Sequence, residues 1–206
     1  MKVLDKEGML LAAIFGVLLY FFGGLAYLAL MLVFFILAVI VTRYGYDVKR
    51  DLGLYEHERG WENVLSNGFL PAILAILSPF TGPGPFIASM AAVTADKFAS
   101  EIGVLEQNPP ISLLDLKPAK PGTSGAVSSI GTIASLGGAA LIGVGAIYLF
   151  HISPSAALVV AIAGLAGSII DSLFGVLEER GIGTKGTTNF ICSLAGAIIG
   201  YYWIKI

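Results

Sequence analysis

From Met9 to Val41 the chain runs through aliphatic and aromatic residues without one charged side chain. A helix crossing a bilayer needs about 20 mainly apolar residues, within a range of roughly 17–25. The run is too long for one crossing, and Gly23-Gly24 divides it into a tight pair of helices at about 9–22 and 25–42. Further apolar segments follow at about 64–78, 85–104, 124–150, 155–178 and 187–204. This pattern predicts an all-α, polytopic integral membrane helix bundle, with about seven transmembrane helices in a single membrane domain over residues 1–206. Only 13% of residues are charged, against about 25% in soluble domains, and the 26 glycines fit membrane helices too. A net charge of −2 gives no electrostatic basis for binding nucleic acid.

Met1 to Gly8 is polar and mixed in charge, and no small-residue cleavage site follows, so no cleavable signal is expected. The single cysteine, Cys192, lies in an apolar run and reads as a small buried hydrophobe. His57 and His151 have no partners at ligand spacing, which argues against zinc.

Loop charges set the expected orientation. Lys2 and Lys6 precede the first helix, and loop 43–63 carries Arg43, Lys49, Arg50 and Arg59. Loop 105–123 carries Lys117 and Lys120, and loop 179–186 carries Arg180 and Lys185. The alternate connections 23–24, 79–84 and 151–154 carry neither Lys nor Arg; only Lys205, at the C-terminus, departs from the alternation. By the positive-inside rule the N-terminus and the three polar loops are cytoplasmic, and the chain is a multi-pass protein of the cell membrane.

Charges inside spanning segments are costly and default to functional candidates. Asp96, Lys97 and Glu101 lie near the cytoplasmic end of one segment, and Asp171 lies about two turns inside the same end of another. Lys97 and Glu101, four apart, read equally as an ion pair reaching the interface. Asp171 is flanked at helical spacing by Gly164, Gly167, Ser168 and Gly175, a small-residue face that turns the acid toward the bundle. Asp96 and Glu101, five apart, do not share one face of an ideal helix. The turn Lys120-Pro-Gly-Thr-Ser-Gly-Ala-Val-Ser128 opens a helix and offers free N–H groups to an anion. It reads alternatively as an N-cap followed by a packing stripe. Asn63, Asn67, Thr187, Thr188 and Asn189 stand at helix entries, where structural caps are common. All these clusters border one face of the membrane, where acids and phosphate-binding turns together suit Mg²⁺.

Four stretches, ENVLSNG at 62–68, ADKFASEIG at 95–103, PGTSGAVSSIGT at 121–132 and GSIIDSLFG at 167–175, resemble the transmembrane protein 19 family, a domain-of-unknown-function family of polytopic membrane proteins. LDKEGMLLAAIFGVLLYFFGG and FFILAVIVTR extend the likeness over nearly the whole chain. The plant member of that family is a phytyl-phosphate kinase, which makes a prenyl diphosphate from the monophosphate and a nucleoside triphosphate; CTP is the donor usual for membrane prenol kinases. The resemblance covers Asn63, Asn67, Asp96, Glu101, Gly122, Thr123, Gly125, Ser128, Asp171, Ser172 and Asn189. Lys97-Phe98 departs from the family pattern, which has a small residue followed by Trp there, and the loop before the last helix is short.

The resemblance thus implies a kinase acting on a polyprenyl monophosphate (phytyl or geranylgeranyl) in the bilayer. Asp96, Glu101 and Asp171 are expected to hold Mg²⁺, and Lys97 to act beside them. Arg59, Lys120, Ser124 and the 122–125 turn are expected to hold phosphates. A transporter coupling intramembrane acids to a cation or proton is the alternative; it predicts acids near the midplane and an inverted repeat, and the sequence displays neither.

Overall fold

The computed structural model describes residues 4–55 and 60–204, so Arg59 and His57 lie outside the described residues. Helix α1, Lys6–Leu18, is capped by Asp5, whose carboxylate accepts from Gly8 N at 2.6 Å. It continues as a π-helical turn over Leu19–Gly23. Gly24, at φ 82°, then reverses the chain into α2, Leu25–Arg43, a conformation that only glycine adopts without cost. A short helix, α3 (Tyr46–Asp51), follows in what reads locally as a polar loop. The long helices α4 (Trp61–Thr81), α5 (Gly84–Gly103), α6 (Ser129–Phe150), α7 (Pro154–Glu179) and α8 (Lys185–Trp203) complete the bundle. Among the described residues five helices are long and apolar enough to cross a membrane: α1 with its π turn, α2, α4, α6 and α7.

Helix α5 is the axis. Every residue from Gly84 to Asp96 is buried, and α2, α4, α6, α7 and α8 all pack on it. Backbones come this close because small residues meet at the seams. A Cβ placed on Gly196 of α8 would lie 2.5 Å from Ala88 O. At the end of the bundle with the tight turns, Tyr27 stacks near Phe86 and Phe150, with ring centroids 4.5 and 5.0 Å away. The opposite, polar end gathers α3, the long α5–α6 connection and the α7–α8 loop.

Besides α3, two local features differ from the sequence reading. Strands β1 (Ile111–Ser112) and β2 (Ala126–Val127) pair antiparallel within the α5–α6 connection, Ile111 opposite Val127. Helix α6 therefore starts at Ser129, not at 124: Ser128 is extended (φ −125°, ψ 155°), and its hydroxyl caps the helix by accepting from Gly131 N.

Candidate functional site

The site forms where α7 leans on α5. Gly164 and Gly167 permit that approach, since a Cβ on Gly164 would lie 2.9 Å from Ala91 O and one on Gly167 2.5 Å from Ala92 Cβ. One turn further along, the same face presents Asp171 to Asp96, and the two carboxyls are direct neighbours. Both residues are buried. Asp171 Oδ2 accepts from Lys185 Nζ at 3.0 Å, while among the described residues no lysine, amide or hydroxyl donates to Asp171 Oδ1, which faces the neighbouring carboxyl side. An unmet acceptor on a buried carboxylate is costly, so its retention points to a ligand.

Lys185 reaches this pair because α8 begins there. Thr184 and Thr187 form a reciprocal capping box, and Lys185 is the first helical residue behind it. One turn on, Asn189 is buried; its Nδ2 donates to Ser66 Oγ at 3.4 Å and its Oδ1 is unpartnered. Asn67 Nδ2 in turn donates to Asn63 O at 2.8 Å. The first turns of α4 and α8 thus bring Asn63, Asn67 and Asn189 together. With Asp96, Lys97, Asp171, Ser172, Thr123, Ser124 and Ser128 they line a cavity of about 410 Å³ at the polar end. Glu178 also lines it, with its Oε2 buried and unpartnered.

Glu101 is differently employed. Its Oε2 lies 2.8 Å from Lys49 Nζ and its Oε1 2.6 Å from Lys97 Nζ, and Thr42 Oγ1 donates to it at 2.9 Å. Lys49 is fully buried and also donates to Val41 O and Thr42 O. The carboxylate therefore neutralises two lysines and ties α2, α3 and α5 together. Among the described residues no three acids, histidines or cysteines stand close enough to share one metal ion. The expected trio of Asp96, Glu101 and Asp171 does not assemble, because Glu101 points into the lysine network.

The glycine turn also differs from its expected use. Gly122 and Gly125 have φ of 84° and 72°, so the backbone requires them. A Cβ on Gly125 would lie 2.6 Å from Val176 N, which makes that glycine a packing contact with α7. Ser124 N already donates to Glu179 Oε1 at 2.9 Å, and Ile130 N at the start of α6 donates to Glu106 Oε2 at 3.0 Å. Carboxylates of the chain itself occupy the positions that an anion would take at such N–H groups. Lys120 is exposed and is not part of the cavity wall.

The oxygen donors that remain fit a hard cation. Asp96, the free Oδ1 of Asp171 and the free Oδ1 of Asn189 are the atom types that Mg²⁺ prefers, with one or two carboxylates leaving room for phosphate and water. Lys185 and Lys49 escape a reading of the sequence, where both count as loop charges. The S/T-x-x-T cap before α8 is the one local signal that could have placed Lys185 at a helix start. Lys49 carries no such signal.

The sequence profile of an integral membrane protein family, DUF92, matches residues 1–199. An uncharacterised membrane protein of Methanocaldococcus jannaschii is 39% identical, over 97% of this chain and 85% of that one. Protein PGR of Arabidopsis thaliana is 31% identical, over 97% of this chain and 77% of its own length. An uncharacterised membrane protein of Synechocystis is 31% identical over 65% of this chain and 55% of that one. No solved structure matches.

Proposed function

The chain belongs to the DUF92 integral membrane family, and on that premise we propose that it is a membrane-embedded kinase making a polyprenyl diphosphate from the monophosphate and a nucleoside triphosphate, with CTP the expected donor. The observation that carries this reading is the buried Asp96–Asp171 pair with Lys185, facing a cavity of hydroxyls and amides. A phosphate oxygen of the acceptor bonds to the terminal phosphorus of the donor. The bond from that phosphorus to its bridging oxygen breaks, and the nucleoside diphosphate leaves with the electron pair. The acceptor is already an anion, so no strong base is required, and the work is positioning and charge neutralisation. Asp96 and Asp171 would hold Mg²⁺, which supplies neutralising charge across the phosphates when bound. Lys185 then releases Asp171 and donates to a phosphate oxygen. Thr123, Ser124, Ser128 and Ser172 orient the remaining oxygens, and Lys97, anchored by Glu101, holds positive charge at the wall.

The decisive assay uses purified protein, Mg²⁺, CTP or ATP, and geranylgeranyl or phytyl phosphate. Diphosphate is the expected product, and its absence with every donor and acceptor would overturn the reading. Lys185→Met should raise the KM for the donor by about ten- to a hundredfold, the value of a hydrogen bond to a charged group, and lower stability as well, because buried Asp171 loses its cation. An unchanged KM would remove Lys185 from the phosphate site.

We further assign seven crossings, to α1, α2, α4, α5, α6, α7 and α8, with the N-terminus and the site cytoplasmic. The alternation of loop charges supports this, as does the packing of α5 against α2, α4, α6 and α7 and of α8 against α4, α5 and α7. Leu116→Cys should react with an impermeant thiol reagent only in inverted vesicles, and Ser155→Cys only in right-side-out cells. The native Cys192 is buried and gives little background. Labelling of both from one side would reject the seven-helix assignment.

A further inference from the structure

The cavity extends beyond the polar end to reach the flank of the bundle between α6 and α7. Its wall there includes Thr132, Ser135, Ser168 and Ile169. Ser135 and Ser168 are buried, whereas Thr132 and Ile169 are exposed, so the cavity meets the lipid-facing surface at this point. The gap is bounded on both sides. Toward the tight turns, Gly164 of α7 closes on Ala139 of α6; toward the polar end, Gly175 closes on the backbone of Gly125. From 164 to 175 the helix rises about 16 Å. Between these contacts the small side chains of Ser135 and Ser168 leave the cavity open along the α6–α7 seam, and Asp171, with its Oδ1 lacking a donor, lines the same cavity.

The polar residues of this window make few demands on what passes through it. Thr132 Oγ1 donates to Ser128 O at 2.9 Å, and Ser135 Oγ donates to Thr132 O at 2.9 Å. These two hydroxyls donate within their own helix, which leaves mostly methyl and methylene surface of α6 for a neighbour. The flanking surface is apolar, with Ile133 72% and Leu173 53% exposed. A cavity of about 410 Å³ lies at the small end of the range for ligand pockets, roughly 300–1,000 Å³. It must seat two sets of phosphates, so a long hydrocarbon chain has to leave it. Each buried CH₂ gains about 0.8 kcal/mol, so the bilayer is where such a chain goes.

We infer that the α6–α7 window is the port for the hydrocarbon tail of the phosphorylated lipid, with the phosphate inward at Asp96 and Asp171 and the tail passing between Thr132 and Ile169 into the membrane. The identity of the headgroup rests on the kinase reading above; the path of the tail rests on the window itself.

Two measurements separate these. In the first, Thr132→Trp and Ile169→Trp narrow the port without touching the acid pair. The expected result is a fall of about tenfold or more in kcat/KM for geranylgeranyl phosphate, with the KM for CTP and turnover of dimethylallyl phosphate unchanged. Undiminished use of the long acceptor by both variants would overturn the port. The second measurement needs no catalysis. A geranylgeranyl phosphate carrying a diazirine on its tail is photolysed with the unmodified protein in nanodiscs, and the labelled peptides are mapped. Label within 129–136 or 162–174, competed away by geranylgeranyl phosphate, supports the port even if no diphosphate forms, in which case the kinase reading alone falls. Competable label on α1, α2 or α4 instead, or no competable label, overturns the port.

Discussion

Asp171→Asn is expected to cut diphosphate formation by about 10²–10³-fold, the usual cost of removing one well-placed electrostatic group from a transition state. Asparagine has nearly the same shape and keeps one oxygen as an acceptor for Lys185 Nζ, which lies 3.0 Å from Asp171 Oδ2. Folding should survive, with a melting temperature close to that of the parent. The change removes the charge behind Oδ1, the atom to which the kinase reading assigns Mg²⁺. Asp96→Asn should behave alike, because the two carboxyls are neighbours on facing helices. Near-normal turnover by either variant would take that residue out of the site.

Glu101→Leu should fail differently, by losing stability. It strips the carboxylate from Lys49, which is fully buried, and from Lys97, which is 18% exposed. Breaking one side of a buried ion pair costs about 3–5 kcal/mol, since the partner charge is left in a low dielectric. Adding Lys49→Met should recover much of that loss, so the two effects are strongly non-additive. Unfolding in detergent, followed by denaturant or heat, measures both. Per folded molecule, Glu101→Leu should retain more turnover than Asp171→Asn. The opposite order would return Glu101 to the metal.

The bundle itself is legible in the sequence because lipid imposes a length and a composition on each crossing, and both are local properties. The Gly23-Gly24 reversal falls where the apolar run demands it, and Gly24 has the positive φ that the turn needs. The facing of Asp171 toward the interior follows from the small residues spaced around it, which allow only that side to be approached. The site's finer arrangement depends on partners far apart in the chain. Ser124 N meets Glu179 across 55 positions and Lys49 meets Glu101 across 52. Nothing in the local pattern of PGTSG reveals that the N–H of Ser124 is already taken by a carboxylate, or that Glu101 is claimed by a lysine from a short helix. Helix α3 is missed for a similar reason: YDVKRD is polar and only six residues long, and it holds its shape through buried Lys49 rather than through propensity.

Burial of α5 on all sides has a consequence for biogenesis. Insertion scales charge about 2.5–3.5 kcal/mol for each Asp, Lys or Arg at a helix centre, and α5 carries Asp96, Lys97 and Glu101 toward its end. Neither α5 nor α8 is among the helices apolar enough to cross on composition. In the seven-helix arrangement each is followed or preceded in the chain by a strongly apolar neighbour, α4 and α6 around α5, and α7 before α8. The apolar helices can partition into lipid as they leave the ribosome, whereas α5 and α8 gain their place only when partners shield their polar faces. On the seven-helix assignment the acid on α7 and the lysine that starts α8 then meet late, so the candidate site is assembled by the same event that brings α8 into the bundle.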